Sequence, residues 1–128
     1  MTRSDEVMRL CHKAEQDRAV FRVIRDHPEI DANASCFHAQ QAIEKWLKAV
    51  LVSKGISPRR THDLDTLVDR ILDEGIEFPF SPDRFSCLTA FAVQFRYEEL
   101  DAEAISLAEV EGMIEDARTW AMTLLHEK

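Results

Sequence analysis

Four polar side chains recur at helical spacing within the most apolar stretch of the chain. They are separated by three, four and three positions, and they are His38, Gln41, Lys45 and Lys48. Such spacing places all four on one face of a helix. A helix that serves only for packing has no use for this concentration of ionisable and amide groups. The pattern therefore predicts a polar site along one face of an otherwise buried helix.

A basic segment follows this helix. Gly55 is typical of a helix C-cap, and Pro58 prevents the helix from simply continuing. The basic segment then crowds the entrance of the next helix with Arg59, Arg60, Thr61, His62 and Asp63. Because the segment follows so closely, we expect it to act together with the polar face of the preceding helix.

One interpretation of these groups is a pocket for a nucleotide or another anion. Its candidate ligand-binding residues are Lys45, Arg59, Arg60, His62, Asp63, Arg96 and Tyr97. The lysine and the three arginines would hold phosphate, helped by the backbone amides at the start of the third helix. The tyrosine would stack on a base.

The other interpretation is structural. Asp17 falls on the apolar stripe of the first helix, where a hydrophobic residue would be expected. It would accept hydrogen bonds from Lys45 or Arg96 in a buried ion-pair network that fixes the register of the helices. His62 and Asp63 would then cap the third helix. We expect the structural role for Asp17 and Arg96, and ligand contact for the arginines and the histidine of the basic segment.

Other kinds of site are not indicated. We expect no metal and no other cofactor, since no metal-ligand spacing is recognised among His12, His38, His62 and Asp63. A glycine-rich phosphate loop and a nucleophile elbow are also missing from the sequence. Reduced, mostly buried thiols are predicted at Cys11, Cys36 and Cys87.

Hydrophobic periodicity predicts five helices joined by short connections. The predicted helices run from Asp5 to Asp26, from Asp31 to Lys54, from Thr61 or His62 to Gly75, from Pro82 to about Arg96 or Tyr97, and from Ser106 to His126. Ser4 and Ser81 are the predicted N-caps of the first and fourth helices. No segment alternates in the manner of a strand. The predicted fold is all-α, an up-and-down antiparallel bundle of four to five helices in one domain over residues 1–128.

The second helix is predicted to be the centre of the bundle, because apolar residues cover more than half of its circumference. Four large aromatic residues would serve either the core or a dimer interface, and they are Trp46, Phe91, Phe95 and Trp120. The abundant apolar surface of the second and fourth helices favours a homodimer.

Charge is distributed unevenly along the chain. The net charge of −8 argues against a general nucleic-acid binder. Residues 1–62 hold 11 Lys and Arg against 8 Asp and Glu, whereas residues 63–128 hold 5 against 16. The basic half contains the polar site, and the acidic half would face either a partner or solvent. The sequence shows no membrane span and no apolar signal segment, so we expect a cytoplasmic protein.

The polar site resembles the HEPN domain, a small helical family of prokaryotes and higher eukaryotes. The matching residues are Phe37-His38-Ala39-Gln40-Gln41-Ala42, Glu44-Lys45, Thr61-His62-Asp63-Leu64 and Arg96-Tyr97. Asp17 and the last helix also fall where the family's do, so the resemblance spans nearly the whole chain. It implies the same helical bundle, usually as a dimer.

Catalytic members of this family are metal-independent ribonucleases that carry an Arg followed after four to six residues by a His. The one match in this sequence, Arg22 to His27, lies at the end of the first helix, where the family does not place it. About one such match is expected by chance. Arg96 has no His at the required distance. Whether the protein is an enzyme is therefore left open by the sequence.

Three functions compete at this point. By resemblance, small HEPN proteins often act with a minimal nucleotidyltransferase in a two-gene toxin–antitoxin or related system, and associate with nucleotide or RNA. The first function is that role. The alternatives are a ribonuclease toxin with an unrecognised site and a non-catalytic dimeric adaptor. The basic residues around His62 favour the first function over the adaptor.

Overall fold

The computed structural model describes residues 2–58, 60–92 and 105–126. Within these ranges the chain forms four α-helices and one short 3-10 helix, and it contains no strand. The helices are α1 (Arg3–Ile24), α2 (Ala32–Ser53), α3 (Leu64–Asp73), the 3-10 helix η1 (Ser86–Phe91) and α4 (Leu107–His126). The predicted all-α bundle is confirmed.

Helix α2 is the centre of the bundle, as the breadth of its apolar surface predicts. It packs against α1, α3, η1 and α4. Its buried positions cover most of the circumference, apart from the half-buried polar face, and include Ile43, Trp46, Leu47 and Leu51. Each neighbouring helix buries one stripe against α2, since each has solvent on its other side.

The aromatic residues considered for a dimer interface belong to the core of one chain. Trp46, Phe91 and Trp120 are all buried in it, while Phe95 lies outside the described residues. Leu72 of α3 is 41% exposed. The buried stripe of α3 consists of its other apolar residues, which are Leu64, Leu67, Val68 and Ile71.

Two helix ends match the sequence closely. Gly55 follows α2 and Gly75 follows α3, with backbone φ of 80° and 71°. After α2, the amides of Gly55 and Ile56 donate to the carbonyls of Val52 and Leu51 at 2.9 and 3.0 Å. Bonds of the same kind follow α3. Both helices therefore end in a Schellman motif, whose left-handed position favours glycine.

The start of α1 differs from the prediction. Its N-cap is Thr2, not Ser4, and the helix begins at Arg3. The Thr2 hydroxyl accepts a hydrogen bond from the Asp5 amide at 3.0 Å, and the Asp5 carboxylate accepts one from the Thr2 amide at 3.1 Å. This reciprocal capping box satisfies two terminal amides, whereas a cap at Ser4 would leave the box incomplete.

The predicted α-helix from Pro82 is wrong over the residues that are described. Residues 81–85 form turns, and Ser86–Phe91 is the 3-10 helix η1. The Ser81 hydroxyl contacts the Asp83 side chain, while the amide of Arg84 donates to the carbonyl of Ser81 at 3.0 Å. Bonds over three residues thus replace the bonds over four that an α-helix needs. The predicted end at Arg96 or Tyr97 lies outside the described residues.

The apolar pattern of this segment is nevertheless used. Phe85, Leu88 and Phe91 are buried, and the rings of Phe80 and Phe85 lie 5.9 Å apart in an edge-on arrangement. The residue spacing therefore identified the buried side chains, although the local helix type is different.

The cysteines remain as thiols. Cys36 is buried and Cys11 half-buried, but Cys87 is exposed, which corrects the expectation for that residue. No helix of the described residues is long and apolar enough to cross a membrane.

Candidate functional site

Two carboxylates organise the polar face of α2. Asp17 of α1 binds the side chains of His38 and Lys45. Glu44, on α2 itself, binds the side chains of Lys48 and His62. We call these two sets the Asp17 cluster and the Glu44 cluster. They divide the polar residues that the sequence groups together.

In the Asp17 cluster, His38 Nδ1 donates to Asp17 Oδ1 at 3.0 Å, and Lys45 Nζ donates to Asp17 Oδ2. The Asp17 side chain is only 14% exposed. Burial tends to raise the pKa of Asp17, but the hydrogen bonds from His38 and Lys45, with their positive charge, outweigh it. The pKa therefore lies below its ordinary value. The ion pair of Asp17 with Lys45 is one of the two pairings that the structural interpretation allows for Asp17.

In the Glu44 cluster, one buried carboxylate receives three hydrogen bonds. Gln40 Nε2 donates at 3.0 Å, Lys48 Nζ at 3.0 Å and His62 Nδ1 at 2.9 Å. The Glu44 side chain is 5% exposed. A buried charge is tolerated when it is paired and fully hydrogen-bonded, as this one is.

Gln40 joins α2 to the basic segment. Its Nε2 also donates to the carbonyl of His62 at 2.9 Å, and its Oε1 accepts from Gln41 Nε2 at 2.6 Å. His62 is therefore held twice, through its ring by Glu44 and through its backbone by Gln40. These contacts fix the basic segment against the middle of α2.

Sequence reasoning missed Glu44 and Gln40 as the residues that organise the site. A signal for them exists. Both are polar residues on the apolar circumference of a central helix, four positions apart, and Lys48 lies a further four positions along. Side chains at that spacing meet on a helix surface.

Asp63 has a local structural role. It is the N-cap of α3, and its Oδ1 accepts a hydrogen bond from the Asp65 amide at 2.9 Å. The helix thus begins at Leu64, two or three residues later than predicted. The Leu64 amide donates to Thr89 Oγ1 at 3.3 Å. Because these first amides already have acceptors within the chain, they are less available to an anion.

The remaining candidate residues differ in how far their side chains are exposed to solvent. The side chain of His62 is 62% exposed, and Arg60 is exposed. By contrast, Lys45 is mostly buried beside its carboxylate. Arg59, Arg96 and Tyr97 lie outside the described residues, and so does any contact between Arg96 and Asp17.

The main clefts do not coincide with this site. Three clefts have volumes of about 270, 330 and 290 Å³. The first lies between the end of α2 and α3, the second beside α4, and the third at the start of α1. None of these three is lined by Lys45, Arg60, His62 or Asp63. Within the described residues, Arg60 and His62 are exposed, and the hydrogen-bonded network of Glu44 lies beneath His62.

The Arg22 and His27 pair does not form a comparable arrangement. Helix α1 ends at Ile24, and His27 lies beyond it, where its Nδ1 accepts a hydrogen bond from the Glu29 amide at 3.2 Å. Arg22 and His27 are both exposed.

Across residues 2–58, 60–92 and 105–126, no group of three or more His, Cys, Asp or Glu side chains could hold a metal ion. The absence of a metal remains a prediction.

Comparison with known proteins shows the family. The model of the HEPN domain matches residues 7–123, which is most of the chain. The chain belongs to the HEPN family. No curated protein and no solved structure matches it. The family match includes α2, the basic segment and most of α4.

In this HEPN domain several of the described residues that carry the family resemblance contact one another or Asp17. Gln40 and Glu44 contact His62 directly, and Lys45 contacts Asp17. They join α2 to the start of α3 and to α1. The arrangement can position an imidazole and an exposed arginine at the surface, and it can stabilise the packing of three elements.

Proposed function

We propose that this HEPN-domain protein is the nucleotide- or RNA-associated component of a two-gene system of the toxin–antitoxin type. Its partner in that system is a minimal nucleotidyltransferase, as the family resemblance implies. The phosphate-binding surface is the basic segment, with Arg60 and His62 as the described contact residues. Arg59, Arg96 and Tyr97 complete the set on sequence grounds.

The observation that carries the proposal is that carboxylates neutralise some cations of the site and leave others exposed. Asp17 neutralises Lys45 and Glu44 neutralises Lys48, so neither lysine retains its full attraction for phosphate. Arg60 is exposed, and the ring of His62 is held in place while most of its surface meets solvent. An oriented imidazole and an exposed guanidinium two residues before it in the sequence suit a phosphate group.

Binding of a fluorescent single-stranded RNA and of ATP tests the surface. We expect Arg60→Ala to weaken binding about three- to tenfold and to reduce the salt dependence, because one phosphate contact is lost. His62→Ala should also weaken binding. Lys13→Ala is the matched control, because it removes the same charge from an exposed position on α1. Equal losses in Arg60→Ala and Lys13→Ala would contradict a local phosphate site.

The partners require their own measurements. We expect a homodimer in sedimentation at micromolar concentration, and a complex with the minimal nucleotidyltransferase on size-exclusion chromatography after co-expression. A monomer would count against the dimer. A complex that forms without any nucleotide or RNA binding would support the non-catalytic adaptor instead.

A ribonuclease is the second candidate, and one observation favours it. His38 and His62 each place Nδ1 on a carboxylate, an arrangement that orients the ring and supports proton transfer at the other nitrogen. We expect any RNA cleavage to survive His27→Ala and to be lost in His62→Ala or His38→Ala with the fold intact. Selective loss in His27→Ala would instead assign activity to the Arg22 and His27 pair.

A further inference from the structure

One of the three clefts is lined by residues of the acidic half of the chain, none of which belongs to the proposed phosphate surface. It has a volume of about 330 Å³ and lies between residues 77–80 and one face of α4. The lining residues that matter are Glu77, Phe80, Asp116, Thr119, Trp120 and Thr123. Its size is at the lower end of pockets that enclose small ligands.

Aromatic rings form one wall of this α4 cleft. Phe80 and Trp120 line it, and Phe78 packs edge-on against both, with ring centres 5.3 and 5.6 Å away. Trp120 Nε1 donates to the Glu77 carbonyl at 2.7 Å. The indole is thus fixed, and its one polar group is already used. Trp120 is 5% exposed and Phe80 is half-buried, so the two residues offer a ligand a limited aromatic surface.

Carboxylates occupy the rim. Asp116 is paired with Arg84, whose Nη2 lies 3.1 Å from Asp116 Oδ2, so its charge is partly balanced. Glu77 is exposed and adds a further negative charge. Residues 63–128, which include the whole cleft, hold 5 Lys and Arg against 16 Asp and Glu. The residues that line the cleft include the acidic Glu77 and Asp116 and no Lys or Arg, so the lining favours a cation over an anion.

We propose that the α4 cleft binds a small organic cation of the alkylammonium class. Ring faces attract cations through their quadrupole, and quaternary ammonium groups are recognised by aromatic surfaces in this way. Glu77 supplies the opposite charge, and the apolar surface of the alkyl groups matches the walls. The site is separate from the basic segment, so this proposal does not depend on the proposed phosphate binding.

The two tryptophans of the chain give a direct test. Trp120 lines the cleft, whereas Trp46 is fully buried in the core and serves as an internal control. Choline is the probe, and 3,3-dimethylbutan-1-ol is its neutral counterpart of the same shape. We expect choline to shift the indole N–H resonance of Trp120 saturably at about millimolar concentration, and the neutral alcohol to bind about tenfold more weakly.

Matched variants decide the role of the carboxylate. Glu77→Gln keeps the backbone carbonyl that holds Trp120, so we expect an unchanged melting temperature and a loss of choline affinity of about threefold or more. Glu29→Gln removes the same charge from an exposed position outside the cleft and should bind choline like the parent protein.

Three results would overturn the proposal. Equal binding of choline and the alcohol would show an apolar cleft without charge selectivity. Equal losses in Glu77→Gln and Glu29→Gln would show a general charge effect. No saturable shift of the Trp120 resonance would show that the cleft binds no cation of this class.

Discussion

At the scale of single residues, the environment of each charged group decides whether it stabilises the fold or remains available to a ligand. Asp17 is a carboxylate on the buried side of α1, and His38 and Lys45 supply its hydrogen bonds. Glu44 is still more buried and receives three donors. Removing one partner from such a set leaves an unpaired polar group, which costs more than the intact pair contributes.

We expect Asp17→Asn to lower the free energy of unfolding at pH 7 by about 1–3 kcal/mol. Because the pKa of Asp17 in the fold lies below its ordinary value of 3.8, its stabilisation is present above that value. It is lost as the pH falls through the lowered pKa. The difference between parent and variant should therefore shrink below about pH 4. Urea unfolding at several pH values measures it.

Asp26→Asn is the control for this experiment, because the Asp26 side chain is 86% exposed. It should change stability by less than about 0.5 kcal/mol at every pH. A gap for Asp17→Asn that stays constant down to pH 2 would show that the ionised carboxylate is not the stabilising form.

The thiols of Cys36 and Cys87 should react at different rates. Burial raises the pKa of Cys36 to about 11, and the residue has no exposed surface. Burial also raises the pKa of Cys87, but this residue is exposed. Because the thiolate is the reactive form, iodoacetamide should modify Cys87 first, and faster with rising pH, while Cys36 is protected until unfolding. Peptide mapping by mass spectrometry follows both, and equal rates in the native protein would contradict this burial pattern.

At the scale of helices, local signals set the ends of α2 and α3, while side-chain contacts from elsewhere set the form of η1. Gly55 and Gly75 each occupy the left-handed position of a Schellman motif. In contrast, η1 is attached to the start of α3, since Ser86 Oγ donates to Asp65 Oδ1 at 2.5 Å and Thr89 Oγ1 accepts from the Leu64 amide. These attachments favour the tighter 3-10 turn.

The three glycines form a graded stability series. Gly75→Ala should cost about 1–2 kcal/mol, from the left-handed backbone alone, because no atom lies within 4 Å of an added Cβ. Gly55→Ala should cost at least as much, since its Cβ would also lie 3.1 Å from Arg3 Nη2. Gly112→Ala, inside α4 and with open space around it, should raise stability by up to about 1 kcal/mol. Thermal unfolding ranks the three, and a neutral Gly75→Ala would contradict the strain argument.

At the scale of the whole molecule, ion pairs join α1 to α4 beside the shared contact with α2. They are Arg18 with Glu115, Glu15 with Arg118, and Arg25 with Glu111. Residue numbers rise along α1 as they fall along α4, which is the order of an antiparallel pair. In two of these three pairs, an arginine of the first half meets a carboxylate of the acidic half within one chain.

Reversing one of these pairs should show its contribution. Arg18 Nη2 lies 2.8 Å from Glu115 Oε1 at a partly exposed position, so we expect Arg18→Glu to destabilise by about 1 kcal/mol. Glu115→Arg in the double variant should restore part of the loss, and added salt should reduce both effects. Chemical unfolding at low and high salt measures them. A double variant no more stable than Arg18→Glu would show that the pair is not coupled.

The sequence by itself determined the number of apolar stripes, the central place of α2, the glycine-ended helices and the family. All but the family depend on helical period and on capping chemistry, which act over a few residues. The family resemblance depends instead on the motif residues of α2 and of the segment before α3. The tertiary structure alone decided that Glu44 binds His62 and that Asp17 binds His38, because those partners are 18 and 21 positions apart. It also decided that Lys45 is neutralised, because its carboxylate partner Asp17 lies 28 positions away in the sequence.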